Sequence, residues 1–220
     1  GIADSGLNVK IVVTHAGITT GEDGISAQSV EDLALMCALP GFVVVVPADG
    51  PETAQVVRAA AATPGPFYVR LSRSATPVVH QDHTNFTLGR AEMMRPGTDV
   101  TIIACGIMVS QAIEAAEILG RMGISARVLN MATLAPIDEE AIVAAAKETG
   151  AIVTAEEHLQ HGGLGSIVAR VLGENHPVPL RLVALEGYAE SGAPEQLLEK
   201  YGLTPGRIVA ATEDVVGRKR

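Results

Sequence analysis

Apolar residues along this chain fall into short β-branched runs separated by longer segments with helical spacing. Residues 9–13, 42–46, 67–71, 100–105, 126–131, 151–155 and 180–185 are near-continuous apolar stretches, the pattern of strands covered on both faces. Between them, residues 30–39, 52–63, 108–122, 138–148 and 166–172 carry apolar positions three and four apart and read as helices. Residues 193–201 and 204–215 predict two closing helices, and residues 86–94 an edge strand or hairpin arm. Ser29, with Asp32 three residues on, and Asp138 stand where N-caps belong. Leu39-Pro40-Gly41, Pro64-Gly65-Pro66 and Gly123 stand where helices stop. Strands alternating with helices predict an α/β fold whose parallel strands are joined by right-handed crossovers.

The alternation breaks once. Residues 75–85 have no period and carry Pro77, His80, Asp82, His83 and Asn85, the composition of an inter-domain linker. The expected division is a first α/β unit over 1–78, a linker over 79–90 and a second α/β unit over 91–220. His80 and His83 have a three-residue spacing that some metal sites use. With no nearby Cys or further His they read as linker histidines, and no metal-ligand set is expected in the chain.

Composition narrows the class. The 220 residues are 47% hydrophobic but only 3% aromatic, so the core is built from Ala, Val, Leu and Ile. No apolar run approaches the ~18 residues of a membrane span, and no signal-peptide pattern opens the chain. Cys37 and Cys105 sit inside apolar segments and read as buried thiols of a reducing, cytoplasmic compartment. A formal net charge of −9 excludes the basic surface that nucleic-acid binding needs. The terminal Arg218-Lys219-Arg220 reads as a frayed tail.

The densest chemistry lies in residues 14–32, a polar loop between the first strand and the first helix. Open α/β sheets place ligand sites in such loops. It holds His15, adjacent Glu22 and Asp23, and Gly17, Gly21 and Gly24, which can take backbone angles that other residues avoid. On residue types alone it is equally an acidic surface loop. Gly162-Gly163-Leu164-Gly165 lacks nucleotide-fingerprint spacing and reads as a close strand-to-helix turn. Glu156, Glu157, His158 and His161 form a polar cluster at a strand end, either a site or an interface.

The stretch Gly21-Glu-Asp-Gly-Ile-Ser-Ala-Gln-Ser-Val-Glu-Asp-Leu-Ala-Leu-Met36 resembles the pyrimidine-binding domain of transketolases, as do Ala38-Leu-Pro-Gly41, Val46-Pro-Ala-Asp49 and Val69-Arg-Leu-Ser-Arg73. Thr101-Ile-Ile-Ala-Cys-Gly106, Leu134-Ala-Pro-Ile-Asp138, Glu156-Glu-His158, Gly162-Gly-Leu-Gly-Ser166 and Tyr188-Ala-Glu-Ser-Gly192 are similar to the family's C-terminal domain. The resemblance covers essentially the whole chain. It is to the C-terminal half of a transketolase divided into two chains.

The resemblance implies a partial pyrimidine-binding domain with a parallel sheet, then a complete C-terminal domain with a mostly parallel sheet. It implies a subunit of a thiamine-diphosphate enzyme that moves a two-carbon ketol unit from a ketose phosphate to an aldose phosphate, as in the pentose phosphate pathway. The cofactor and its divalent metal, Mg or Ca, would be held mainly by an N-terminal partner subunit, because the Gly-Asp-Gly signature for diphosphate is absent here. The assembly would be a homodimer or heterotetramer, inactive without the partner. By position, His15 matches a histidine that contacts substrate phosphate or hydroxyl groups. Asp23 matches an aspartate that hydrogen-bonds a donor hydroxyl, and Arg73 an arginine that pairs with acceptor phosphate. Gly21, Glu22, Gly24 and Gln28 belong to the loop near cofactor or substrate. No catalytic residue is assigned in this chain. Ala27 stands where the family usually has His, and no Glu in residues 1–21 can take the part of the glutamate that protonates the aminopyrimidine. The alternatives are a 2-oxoacid dehydrogenase β-subunit or deoxyxylulose-phosphate synthase relative, and a non-catalytic assembly or regulatory fragment. An incomplete first sheet would expose an apolar edge for dimer or partner contacts.

Overall fold

The computed structural model describes residues 1–80 and 86–219. The first unit contains β1 (Lys10–Ala16), a 3₁₀ segment (Ile18–Asp23), α1 (Asp32–Cys37), β2 (Val43–Val45), α2 (Gly50–Ala62) and β3 (Phe67–Ser72). Then come β4 (Glu92–Arg95), β5 (Val100–Ala104), α3 (Met108–Arg121), β6 (Ala126–Asn130), β7 (Thr133–Ala135) and α4 (Glu139–Thr149). The remainder is β8 (Ile152–Leu159), α5 (Leu164–Asn175), β9 (Leu180–Leu185), α6 (Pro194–Lys200) and α7 (Pro205–Val216).

These form two α/β units with mostly parallel sheets, in the orders β1-β3-β2-β7 and β4-β6-β5-β8-β9. Among the described residues antiparallel pairing is confined to β7 on β2 and β4 on β6. Caps follow local chemistry. Asp49 accepts from Glu52 N at 3.0 Å to start α2, and Asp138 accepts from Ala141 N at 3.1 Å to start α4. Gly150 ends α4 with φ 68, an angle glycine takes without penalty.

The structure departs from the periodicity in four places. Ser29 caps nothing: α1 begins at Asp32 with no side-chain cap, and the Ser29 carbonyl accepts from Gly17 N at 2.7 Å instead. The edge strand expected over 86–94 shortens to β4, because only this stretch pairs, with Glu92 opposite Asn130. Thr133–Ala135, expected as no element, is β7 and extends the first unit's sheet from the second half of the chain. β8 runs on from the predicted end at Ala155 to Leu159, taking Glu156, Glu157 and His158 into the interior.

The units also share their cores. Ile18, Val30 and Ala48 pack with Val100, Met108, Val153 and Ile208, while Leu33, Val44 and Tyr68 pack with Ile103, Leu134 and Leu164. Among the described residues β1 has no partner on its outer side. Near it lie exposed Leu7 and Val12, and on α1 exposed Leu35.

Candidate functional site

Strands β1 and β3 run side by side with Lys10 opposite Phe67 and Ala16 opposite Ser72. Their carboxyl ends therefore finish together, at the sheet edge where open α/β folds bind ligands. His15 stands at this end of β1, and Arg73 directly follows β3. His15 is exposed and has φ 66, a left-handed backbone that costs a non-glycine residue roughly 1–3 kcal/mol and persists only when its surroundings hold it. Its carbonyl accepts from Thr20 Oγ1 at 2.7 Å, and the next turn is clamped by the Gly17 to Ser29 bond. The His15 ring places Nδ1 2.9 Å from Thr14 Oγ1.

The 3₁₀ segment carries Glu22 and Asp23 to the same edge. Arg73 donates to the Thr20 carbonyl and lies 3.4 Å from Asp23 Oδ2 and 3.9 Å from Glu22 Oε2. Exposed ion pairs of this kind are weak, so an incoming dianion can displace the carboxylates from the guanidinium. Arg73, Asp23 and Glu22 thus form one solvent-facing cluster beside the strand end that bears His15.

Gly21, Gly24 and Gln28 turn the other way. A Cβ on Gly24 would meet Ser191 Oγ at 2.3 Å, and one on Gly21 would meet Gly192 O at 3.3 Å. Gln28 Nε2 donates to Glu190 O at 3.0 Å. These three fasten the loop to residues 190–194 of the second unit and are buried away from the Arg73 cluster. Ala27, next to Gln28, is exposed.

Beneath the loop is a buried polar layer. Glu157 of β8 accepts from Thr19 N at 2.7 Å, and a Cβ on Gly17 would lie 2.1 Å from its Cδ. Arg70 of β3 bonds Asp32 Oδ2 at 2.8 Å, Ser29 O at 3.0 Å and Glu157 O at 2.9 Å, so one guanidinium joins α1, the loop and β8. Tyr68 donates to the same Asp32 oxygen at 2.7 Å. Burial pushes the Asp32 carboxyl upward, but the Arg70 charge and the bonds from Arg70 and Tyr68 outweigh it and hold it below its ordinary value. Burial raises Glu157, with Arg70 and the Thr19 amide pulling partly back.

The Glu156 carboxylate accepts from Leu164 N at 2.7 Å and Gly165 N at 2.8 Å, filling the N-terminus of α5 from within. Burial still raises its pKa to about 7. A Cβ on Gly163 would sit 2.1 Å from Glu156 Oε2, so the glycine run is a close-approach turn with its anion position already taken. His158 bonds the Leu159 carbonyl through Nδ1 at 2.7 Å and accepts from Ala34 N through Nε2 at 3.4 Å, and burial lowers its pKa. Glu156, Glu157 and His158 are therefore internal supports, while His161 is exposed. The signal for this layer was present: a charge such as Arg70 inside a strand covered on both faces requires a buried partner.

The reading of His80 as a linker histidine is corrected. It is 4% exposed and held against Asp49. His83, with Asp82 and Asn85, lies outside the described residues.

The model of the transketolase pyrimidine-binding domain matches residues 1–79, and that of the transketolase C-terminal domain matches residues 89–208. A 6-deoxy-6-sulfo-D-fructose transketolase subunit, SqwH, of Clostridium sp. (strain MSTE9) is 45% identical over 99% of this chain and 68% of its own length. One of the apulose-4-phosphate transketolase subunits of Phocaeicola vulgatus is 41% identical over 92% of this chain and 65% of its own length. The chain thus spans about two thirds of the length of these curated relatives. A solved structure described as a split gene transketolase, inactive beta4 tetramer, is 48% identical with a TM-score of 0.94, covering 100% of this chain and 70% of that one. Transketolase from Leishmania mexicana, at 24% identity and a TM-score of 0.80 over 99% of this chain and 32% of that one, shares the fold.

Proposed function

This chain belongs to the transketolase family, and from that premise we propose that it serves as the C-terminal subunit of a split transketolase, transferring a two-carbon ketol unit between sugar phosphates together with an N-terminal partner subunit. The observation that carries this reading is the meeting of Arg73, Asp23 and Glu22 at the carboxyl ends of β1 and β3, beside His15. In this reading Arg73 binds the acceptor phosphate through its fork of N–H donors. Asp23 accepts a hydrogen bond from a donor-sugar hydroxyl, and His15 contacts phosphate or hydroxyl oxygens. Glu22 sets the charge of the loop, while Gly21, Gly24 and Gln28 hold its shape against the second unit. Residues 1–78 supply this site, residues 79–90 connect the units and residues 91–220 brace it.

Thiamine diphosphate and its divalent metal, Mg or Ca, are the cofactors the family implies. The residues here do not fit the diphosphate: the cluster offers a single guanidinium beside two carboxylates, too little positive charge to hold two phosphoryl groups. The diphosphate and metal are therefore assigned to the partner, and no step is derived through them. The partner requirement also makes the isolated chain inactive. The assembly would be a homodimer or heterotetramer, which would cover the unpaired β1 edge and its apolar neighbours. No helix among the described residues is long and apolar enough to cross a membrane, and the proposed location is the cytoplasm.

The test is reconstitution. The chain is mixed with a partner chain that carries the Gly-Asp-Gly signature, and ketol transfer from a ketose phosphate is followed by release of the aldose phosphate. Activity that needs both chains supports the proposal, while full activity of either chain alone, or none from the complex with any sugar phosphate, refutes it.

A further inference from the structure

Asp49, Glu52, His80, Glu92 and Asn130 come from both units and meet between them. Asp49 Oδ2 accepts from Val79 N and His80 N, both at 2.8 Å, and its Oδ1 lies 3.0 Å from His80 Nδ1. The backbone of residue 80 is thereby held on the α2 cap, with the imidazole Nδ1 turned toward Asp49 and Nε2 facing the second unit. Nε2 lies 3.2 Å from Glu92 Oε2 and 3.4 Å from Asn130 Nδ2. The Asn130 amide also donates to Glu52 Oε1 at 2.8 Å. Glu52, His80 and Asn130 are 1%, 4% and 1% exposed.

Two features mark this as more than a packed polar junction. Glu92 Oε2, Asn130 Oδ1 and His80 Nδ1 are sealed from solvent and have no hydrogen-bond partner among the described residues. Among the described residues three carboxylates, Asp49, Glu52 and the half-exposed Glu92, also converge on one imidazole, and Arg90, which lines the adjoining cavity, bonds Glu140 at 2.7 Å instead. Asp49 and Glu52 are buried and partly compensated by backbone amides, Glu52 Oε2 accepting from Ala48 N at 2.6 Å, and a cation between Glu52 and Glu92 would offset the negative charge that remains.

We propose that Glu52, His80 and Glu92 bind a first-row divalent cation of the zinc class, with Asp49 orienting the His80 ring. One ligand atom from each lies within 4.8 Å of the others. Metal–ligand distances of about 2.0–2.1 Å put neighbouring ligands of a tetrahedral cation about 3.4 Å apart. His80 Nε2 and Glu92 Oε2, at 3.2 Å, already meet that spacing. The Glu92 side chain is 39% exposed and free to adjust toward Glu52. An imidazole whose second nitrogen faces a carboxylate is the usual support of a metal-bound histidine. One imidazole with two carboxylates suits zinc better than the all-oxygen shells of magnesium or calcium. A cavity of about 280 Å³, lined by Glu52, Glu92 and Asn130, supplies the path of entry and room for a water as fourth ligand. The bound cation joins α2 and residue 80 to β4, and so clamps the two units together.

The full chain, stripped with a chelator, is titrated with Zn²⁺ by calorimetry, and Co²⁺ is added in parallel to read the d–d absorption of a tetrahedral imidazole–carboxylate site. The expected result is one Zn²⁺ per chain with a rise in melting temperature. Glu92→Gln and Glu92→Ala, at a half-exposed position that leaves the fold intact, weaken binding by about tenfold or more. His161→Ala, at an exposed residue elsewhere, leaves binding unchanged. Absence of saturable binding, binding indifferent to both Glu92 variants, or binding lost in His161→Ala overturns the proposal.

Discussion

Replacing Arg70 with Met removes a buried cation and leaves its partners in place. The side chain is 5% exposed and bonds Asp32 at 2.8 Å, Ser29 O at 3.0 Å and Glu157 O at 2.9 Å. Breaking a buried pair by deleting one partner costs about 3–5 kcal/mol, because the other charge stays buried. Two carbonyls also lose a donor, but Tyr68 still bonds Asp32 and Met refills most of the volume. A cost of about 4 kcal/mol follows, a large share of the roughly 5–15 kcal/mol available to a folded domain. At about 2–4 °C per kcal/mol for a chain of this size, melting falls by roughly 8–16 °C. Circular dichroism melts of Arg70→Met and of Arg70→Met/Asp32→Asn measure it. The double variant recovers more than half of the loss, since the stranded carboxylate is neutralised. The pH dependence adds a check. The Asp32 carboxyl is held below its unfolded value, so its stabilisation is present above pH ~4 and is lost as pH falls through the lowered folded value. The lead of the wild type over Arg70→Met therefore narrows in acid. A drop under about 3 °C for the single variant, or no recovery in the double, would refute the reasoning that this pair joins α1, the loop and β8.

Three further outcomes are expected. In the reconstituted enzyme, Arg73→Ala raises KM for a phosphorylated acceptor by about ten- to a hundredfold, the worth of a charged hydrogen bond, and leaves unphosphorylated aldehydes nearly unaffected; equal effects on both would remove Arg73 from the phosphate site. Glu156, raised to about 7, binds its proton more tightly folded than unfolded, so its contribution is greatest below pH ~4.5 and falls by about 3 kcal/mol as pH climbs past 7. Urea titrations from pH 5 to 8 show this decline in the wild type and a flatter profile in Glu156→Gln, and parallel profiles would count against it. Gly17→Ala costs roughly 3 kcal/mol or more, since φ is 79 and the new Cβ meets Glu157 at 2.1 Å. Gly41→Ala, with φ 85 but open space around it, costs only about 1–2 kcal/mol, so equal urea midpoints for the two would deny the close approach of Glu157.

The clustering of the candidate residues was readable before the fold was seen, because they are close in the chain or on neighbouring strands. His15 stands at the end of the strand whose following loop carries Glu22 and Asp23, and Arg73 follows the strand that pairs with it. Gly21, Gly24 and Gln28 shared that loop, yet their contacts are with residues 190–194, which no local pattern points to. That Arg70 needs a buried partner was legible, but that Glu156, Glu157 and His158 are buried with it was not. A strand's end is set by where its neighbours stop pairing and by which amides reach its carboxylates, and here those belong to α5 and the first loop.

The sequence by itself determined the alternation of strands and helices, the capped start of α4, and the membership of the family, since periodicity, capping and motif spacing are properties of neighbouring residues. Only the tertiary structure decided that β7 crosses to the first sheet, that Arg70 is the cation joining three elements, and that His80 leaves the linker for a carboxylate cluster between the units. Each of these depends on partners that are distant along the chain. A buried charge or an unpaired sheet edge states that a partner is needed, and the packed fold chooses which one.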